Sequence, residues 1–212
     1  MLVKICGLTC QEDVATANAL GADFCGFIFH PKSPRYVAPE VVATLDSGHL
    51  KRVGVFVSND VEHILHVMQI AQLDLVQLHG EQSTGVAREI GENRVIRVLW
   101  PQRYCHKALF YRDIMKFADS CAFYLFDAGQ KGGGSGKKLD WDYLAGLATP
   151  HPWLLAGGLN AKTAAQALKL THAAGVDLNS GIESAPGKKD ASSMREAIQQ
   201  VRLLKTNLEP EK

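Results

Sequence analysis

The 212-residue chain has neither an excess of one charge nor a long apolar run. Lys and Arg together number 23 and Asp and Glu number 22, so the formal net charge is +1. A nearly neutral chain lacks the basic surface that recruits nucleic acid or an anionic membrane. No segment approaches the roughly 20 apolar residues that span a bilayer. We therefore expect neither nucleic acid nor a membrane as a partner.

Signals for export and for metal binding are also missing. Residues 1–10 lack a basic start and a sustained apolar stretch, so we expect a cytoplasmic protein. Five cysteines, an odd number, predict reduced thiols rather than a disulfide framework. Cys6 and Cys10 form a lone C-x3-C, and the eight histidines show no H-E-x-x-H spacing, so we predict no metal site. The cysteines interpreted as packing residues are Cys10, Cys25, Cys105 and Cys121.

The chain does contain a regular alternation of short apolar, β-branched runs with longer helical patterns. The predicted strands are 3–6, 23–29, 52–57, 75–78, 94–100, 122–127, 153–156 and 176–179. The predicted helices are 11–20, 39–45, 60–71, 82–90, 104–117, 141–147, 161–170 and 191–204. Asp60 is the predicted N-cap of the third helix.

Eight strand–helix units without a linker predict one α/β domain. Strands that alternate with helices imply parallel pairing through right-handed crossovers. Eight units in this length predict a single-domain (β/α)8 TIM barrel over residues 1–206, followed by a frayed tail at 207–212. The alternative is a doubly wound open sheet, which would favour G-x-G-x-x-G after the first strand. Residues 5–9 do not contain that motif.

The most informative stretch is an apolar strand that ends in Asp127 and passes directly into a glycine-dense loop. Glycine lets consecutive backbone N–H groups turn toward one anion, so the loop is a candidate phosphate cradle. Its candidate phosphate-binding residues are Gly133, Gly134, Ser135 and Gly136. A carboxylate beside a phosphate site suggests acid–base chemistry on a phosphorylated metabolite, and a flexible surface loop is the alternative. The loop is not a P-loop, because Lys138 stands where that motif needs Ser or Thr.

Polar and glycine residues gather at one end of the predicted barrel, where the active sites of such barrels lie. They include Cys6, Arg35, His79, Asp127, Gly157, Gly158, Asn179, Ser180 and Gly181. The loops after strands seven and eight often hold phosphate in this fold, helped by a short extra helix. Residues 180–184 are predicted to form that helix, with Ser180 as its cap. A tight strand exit is the alternative for Gly157 and Gly158.

Motifs along most of the chain match one enzyme family in order. They are K-I-C-G-L-T at 4–9, G-F-I-F at 26–29 with S-P-R at 33–35, V-G-V-F-V at 53–57, V-Q-L-H-G at 76–80, the loop 127–136, L-A-G-G-L at 155–159 and D-L-N-S-G-I-E at 177–183. The chain closely resembles the phosphoribosylanthranilate isomerases of tryptophan biosynthesis from residue 3 to about 190. The first of these motifs is the most distinctive.

The resemblance implies a cofactor-free Amadori rearrangement of a phosphorylated small molecule. N-(5-phosphoribosyl)anthranilate becomes 1-(2-carboxyphenylamino)-1-deoxyribulose 5-phosphate. One acid must protonate the ring oxygen and one base must remove the proton on the sugar C2. By resemblance Asp127 is the general acid, which requires a raised pKa, and Cys6 is the general base, which must be partly thiolate. Lys4 lies on the same strand face as Cys6 and either supplies a positive charge to it or pairs with Asp177.

The resemblance also implies roles in substrate binding. Arg35 would hold the anthranilate carboxylate, because its planar fork matches that group; a surface arginine is the alternative. His79 would line the aromatic pocket or hydrogen-bond Asp127, and a structural polar contact is the alternative. Asn179 stands where many relatives carry serine, and either side chain can donate to a phosphate oxygen.

Other phosphate-binding barrels remain as alternatives. The sugar isomerase of histidine biosynthesis has a carboxylate at the end of strand one and repeated phosphate loops, whereas this chain has Cys6 and no such repeat. A metal-dependent epimerase would need His and Asp ligands at several strand ends. A catalytically silent barrel would lack Cys6 or Asp127, and both are present. Because no loop is unusually apolar, we favour a monomer over a homodimer.

Overall fold

A computed structural model of the protein describes residues 1–127 and 140–206, and within them eight parallel strands form a closed barrel in chain order. The strands are β1 (Leu2–Cys6), β2 (Phe24–Ile28), β3 (Lys51–Phe56), β4 (Leu75–Leu78), β5 (Val95–Leu99), β6 (Phe123–Phe126), β7 (Trp153–Leu155) and β8 (Gly175–Leu178). β1 pairs with both β2 and β8, so the sheet has no open edge. The (β/α)8 prediction is confirmed and the open sheet is excluded.

Helices connect successive strands and surround the barrel. They are α1 (Gln11–Ala19), α2 (Pro39–Thr44), α3 (Val61–Ile70), α4 (Thr84–Ile90), α5 (Lys107–Lys116), α6 (Trp141–Leu144), α7 (Ala164–Thr171) and α8 (Ala191–Thr206). Short 3₁₀ turns occur at Glu92–Arg94, Pro101–Arg103 and Ala118–Ser120. The Asp60 side chain accepts a hydrogen bond from the His63 N–H, which confirms the predicted cap of α3. No described helix is long and apolar enough to cross a bilayer.

Side chains alternate between the two faces of each strand and so form two apolar layers. One layer fills the barrel interior with residues such as Val53, Ile96 and Leu125. The other lies between the strands and the helices and contains residues such as Ile64 and Leu168. The interior layer becomes polar toward the carboxyl ends of the strands, so the packed core forms the floor of a polar mouth.

The segment after β8 differs from its prediction. Residues Ser180–Ile182 form a 3₁₀ turn rather than a longer helix, and a two-stranded hairpin of β9 (Glu183–Ala185) and β10 (Lys188–Lys189) follows. The predicted cap at Ser180 is wrong, because the residue before the turn is Asn179 and its side chain makes no capping bond. The hairpin turns at Pro186 and Gly187, whose φ of +81° suits glycine.

The cysteine predictions are confirmed in part. All five are free thiols, and Cys25 and Cys121 are buried as expected. Cys105, however, is exposed, so its interpretation as a packing residue is wrong. It follows the 3₁₀ turn before α5, where the chain runs over the surface. Cys10 is partly exposed. The tail predicted at 207–212 lies outside the described residues.

Closure of the barrel leads to a prediction at Gly175. A Cβ at this position would collide with the backbone carbonyl of Leu2 on the neighbouring strand. Gly175→Ala should therefore lower the free energy of unfolding by about 2 kcal/mol or more, measured by urea denaturation. Gly85→Ala is the matched control, because Gly85 lies in α4 and the nearest atom to a new Cβ is the Ser83 hydroxyl. It should leave stability unchanged or slightly raised, and equal losses in the two variants would contradict the explanation.

Candidate active site

A cavity of about 290 Å³ opens at the carboxyl ends of the barrel strands. Its lining includes Cys6, Arg35, His79, Asp127, Gly157, Gly158, Asn179, Ser180 and Gly181. These residues come from six loops and strand ends, and the barrel brings all of them to one mouth. The predicted loop residues Gly133, Gly134, Ser135 and Gly136 lie outside the described residues.

A buried ion pair lies at the base of this cavity. Lys4 on β1 is opposite Asp177 on β8 in the strand register, and the Lys4 Nζ is 2.8 Å from the Asp177 Oδ1. Cys6 lies above Lys4 on the same face of β1. A Cβ on Gly26 would be 2.9 Å from the Lys4 Nζ and 3.0 Å from the Cys6 Sγ, so both atoms occupy the space that this glycine leaves. Lys4 therefore both pairs with Asp177 and lies close to the thiol.

Burial and neighbouring charges act in opposite directions on these groups. Burial raises the pKa of the Cys6 thiol, and the Lys4 ammonium offsets only part of that effect. Burial alone would lower the pKa of Lys4, but the charge of Asp177 raises it above its ordinary value. At neutral pH the free protein thus holds a charged lysine beside a largely neutral thiol.

His79 lies between Gln77 and Asp127 at the end of β4. Its Nδ1 is 3.2 Å from the Gln77 amide nitrogen, and its Nε2 is 3.6 Å from the Asp127 Oδ2. The second distance is longer than a hydrogen bond. The ring also makes an edge contact with Trp100, with centroids 5.4 Å apart. Burial lowers the pKa of His79 to about 4, so the imidazole is neutral at pH 7. His79 therefore lies in the cavity lining beside Asp127, but at this distance the predicted hydrogen bond between them is not formed.

Arg35 is held by a carboxylate to which the sequence reasoning gave no role. Its Nε and Nη2 donate to the two carboxylate oxygens of Glu183 at 2.8 and 2.6 Å. Lys189 donates to the same carboxylate at 2.7 Å and to the Asn179 Oδ1 at 2.9 Å. Burial alone would raise the pKa of Glu183, but Arg35 and Lys189 hold it below its ordinary range. Arg35 is a buried part of the mouth, not a surface arginine.

Glu183 and Lys189 lie on the β9–β10 hairpin, which explains why they were missed. The available signal was the Pro-Gly pair at 186–187, which is typical of a turn and predicts that the strands on either side return over the mouth. The Thr9 hydroxyl donates to the Gly187 carbonyl at 3.2 Å, so the hairpin is joined to the loop after β1.

Glycines shape the side of the mouth formed by the loops after β7 and β8. Gly157 and Gly158 have φ values of +101° and +66°, a conformation that other residues rarely adopt. A Cβ on Gly181 would collide with the Leu159 carbonyl, so the two loops need a glycine at this contact. The Asn179 amide oxygen is already bonded to Lys189, which leaves its NH2 group as the donor for a ligand.

The sequence model of the family described as N-(5'-phosphoribosyl)anthranilate (PRA) isomerase matches residues 3–200. The chain belongs to the PRA isomerase family. The resemblance found in the sequence is thus confirmed, and so is the activity that it implied: the chain is an isomerase that converts an aldose into a ketose in tryptophan biosynthesis.

Individual PRA isomerases agree over nearly the whole chain. The enzyme from Desulfovibrio desulfuricans is 54% identical over 198 residues, which cover 93% of this chain and 94% of the relative. A structure of monomers of the dimeric enzyme from Thermotoga maritima has a TM-score of 0.82 and 33% identity, and covers 95% of this chain and 98% of its own. A PRA isomerase in complex with reduced 1-(o-carboxyphenylamino)-1-deoxyribulose 5-phosphate has a TM-score of 0.81 and 32% identity, with the same coverages.

The burial of His79 predicts an acid-sensitive fold. Between pH 6.5 and about 4 the unfolded chain binds a proton on this residue and the folded chain does not. The free energy of unfolding should therefore fall as pH drops through that window, by up to about 3 kcal/mol, and be restored above pH 6.5. Urea denaturation across this range measures the effect. His79→Gln should flatten that part of the profile, whereas His66→Gln, at an exposed position of α3, should not. Parallel profiles for wild type and His79→Gln would contradict the explanation.

Proposed function

We propose that Asp127 and Cys6 are the general acid and general base of the PRA isomerase reaction in this chain. The observation that carries the proposal is that both side chains are buried in the lining of one cavity. They come from β6 and β1, which are not neighbours in the barrel, so they approach a bound substrate from different directions. An acid and a base placed in this way suit a reaction with two separate proton transfers.

Each proton transfer has a defined donor and acceptor. Asp127 gives its proton to the ring oxygen as the C1–O bond breaks, and the nitrogen lone pair forms the C1–N double bond. Cys6, as thiolate, then takes the C2 proton, and the released electrons neutralise the iminium to give an enol-amine that tautomerises to the ketone. Because burial disfavours the thiolate, the charge of Lys4 is the feature that makes this base accessible.

Arg35 is proposed to bind the anthranilate carboxylate. Two of its five N–H groups are used by Glu183, and the remaining donors can bind a second carboxylate. The bidentate contact with Glu183 fixes the plane of the guanidinium before a substrate arrives, which reduces the entropy lost on binding. Glu183 is therefore proposed as the residue that orients Arg35.

The glycine-rich side of the mouth is proposed to bind the substrate phosphate. The backbone turns at Gly157, Gly158, Ser180 and Gly181 lie together in the cavity lining, and the Asn179 NH2 group is available beside them. Backbone N–H groups near glycines suit an oxyanion because no Cβ blocks its approach. The residues Gly133, Gly134, Ser135 and Gly136 stay predicted members of this site.

A monomeric state and a cytoplasmic location remain proposals. Among the described residues, the exposed large apolar side chains come from α2, α3, α5, α7, α8 and the loops at Tyr36 and Val57 rather than from one element, which favours a monomer. The Thermotoga maritima relative is described as dimeric. Gel filtration with light scattering at micromolar concentration would decide the oligomeric state.

Removal of either proton-transfer group should abolish turnover. Cys6→Ser and Asp127→Asn should each retain less than about 1% of wild-type kcat, because general acid–base groups contribute 10²–10⁴-fold. Turnover is followed by the loss of anthranilate-type fluorescence from freshly made substrate, and folding by circular dichroism. The controls Cys105→Ser and Asp119→Asn alter exposed residues and should remain fully active. Residual activity above 10% in either site variant would refute the assigned role.

Loss of the Arg35 guanidinium should weaken binding more than chemistry. Arg35→Ala should raise KM by about 10- to 100-fold, as expected for one charge-assisted contact, and change kcat less. Steady-state kinetics separate the two parameters. Arg112→Ala, at an exposed position of α5, is the control. An unchanged KM would contradict a role for Arg35 in binding.

A further inference from the structure

Gln77 is a buried polar residue to which the acid–base scheme gives no role. Gln77 and His79 are two residues apart, so their side chains point to the same interior face at the end of β4. Gln77 is only 1% exposed, and both residues line the substrate cavity. The Gln77 amide nitrogen lies 3.2 Å from the His79 Nδ1. Burying an amide in a barrel interior is costly unless its hydrogen bonds are used, so this contact requires an explanation.

The contact determines which nitrogen of His79 carries the proton. A neutral imidazole has one N–H group and one acceptor nitrogen. With the NH2 group of Gln77 placed toward His79, as it is here, the amide donates, Nδ1 accepts, and the proton lies on Nε2. That nitrogen faces the Asp127 Oδ2 at 3.6 Å, and the contact with Trp100 restricts rotation of the ring. The arrangement therefore directs an N–H group at the carboxylate.

We propose that Gln77 is a positioning residue that holds His79 as the Nε2–H tautomer, so that His79 stabilises the carboxylate of Asp127 after proton transfer. The proposal rests on the assignment of Asp127 as the general acid. Asp127 passes its proton to the ring oxygen and becomes a carboxylate, while His79 keeps its own proton and only donates a hydrogen bond. A shift of about 0.6 Å would bring the 3.6 Å separation within hydrogen-bond range.

A neutral donor suits this position better than a charged one. Burial lowers the pKa of His79, and among the described residues the charged groups that act on it are Asp177 on β8, Lys4 on β1 and Arg103 after β5, with Asp127 at the end of β6 beside it. An imidazolium at this place would stabilise the carboxylate form of Asp127 before the reaction, so that Asp127 would have no proton to give to the ring oxygen. A neutral N–H group stabilises the Asp127 carboxylate less before the reaction. Its hydrogen bond to Asp127 becomes stronger as negative charge develops on the carboxyl group during proton transfer.

The tautomer can be measured directly by NMR. In protein labelled with ¹⁵N-histidine, the nitrogen shifts separate a protonated from an unprotonated ring nitrogen, and the signals missing in His79→Gln identify His79. At pH 7 the expected result is a neutral ring protonated on Nε2. A ring protonated on Nδ1 would overturn the proposal, because the Gln77 carbonyl would then be the group that faces His79. This measurement uses wild-type protein and does not depend on activity.

Two substitutions of similar size test the role of Gln77. Gln77→Glu replaces the donor with an acceptor and should move the proton to Nδ1 or charge the ring. Gln77→Met removes the hydrogen bond and should give a mixture of tautomers. In both variants kcat should fall by about 10- to 100-fold, the value of one hydrogen bond to a charged group, with KM within about threefold of wild type. Gln69→Glu, on the exposed face of α3, is the matched control.

The possible outcomes distinguish a failure of the Gln77 proposal from a failure of the assignment of Asp127 as the general acid. If Gln77→Glu keeps both the wild-type tautomer and the wild-type kcat, the positioning role is wrong. If the tautomer changes and kcat does not, His79 does not act on Asp127, which also overturns the proposal. If Asp127→Asn remains active, the acid is misassigned even when the tautomer is as expected. Should a Gln77 variant fail to fold, the NMR result on the wild type still decides which nitrogen is protonated.

Discussion

The ion pair between Lys4 and Asp177 is the interaction on which the rest of the active site depends. It joins β1 to β8, the two strands whose pairing closes the barrel, and it is buried in the interior. Two charges removed from water lose several kcal/mol of hydration each, and the loss of one partner typically costs about 3–5 kcal/mol. Such a pair is no more stabilising than well-packed apolar residues would be. Its presence therefore points to chemistry at the mouth above it.

The proposed acid–base chemistry needs a positive charge beside the Cys6 thiol. Cys6 is buried in the wall of the cavity, and burial alone favours the neutral form of a thiol. Asp177 keeps Lys4 charged, and Lys4 in turn lowers the free energy of the Cys6 thiolate. On the other side of the cavity burial favours the required form, because it keeps the His79 ring neutral beside Asp127. One set of buried strand ends thus holds the proposed base on one side of the cavity and the proposed acid on the other.

The sequence was sufficient to predict the repeating strand–helix units of the structure. Barrel strands and helices have regular apolar periodicities, and each predicted helix end lies within three residues of its observed position. The location of the strand-end motifs could also be predicted, because the barrel backbone brings the carboxyl ends of all its strands to one mouth. The β9–β10 hairpin was missed because its strands are too short to show a period, although the Pro-Gly turn was visible. The misread exposure of Cys105 shows that residue type alone does not determine burial.

Contacts between residues far apart in the sequence could not be predicted from the sequence pattern. Arg35 and Glu183 are 148 positions apart, and nothing in the pattern around either one indicates that they form a bidentate pair. The alternatives for Lys4 illustrate the same limit, since proximity to Cys6 follows from strand geometry whereas pairing with Asp177 needs the β1–β8 register. Likewise, the orientation of the Gln77 amide toward His79 depends on local packing inside the barrel.

The hairpin after β8 also has a consequence for the order in which the protein is made. Arg35 leaves the ribosome early, but the carboxylate that orients it belongs to a segment synthesised about 150 residues later. Until that segment has been made, the loop after β1 lacks its hydrogen bond to Gly187, and the loop after β2 lacks the contact of Arg35 with Glu183. Contacts of such long sequence separation form late and slow folding. The growing chain therefore lacks the carboxylate that orients Arg35 until the β9–β10 hairpin, which follows the last barrel strand, has been made.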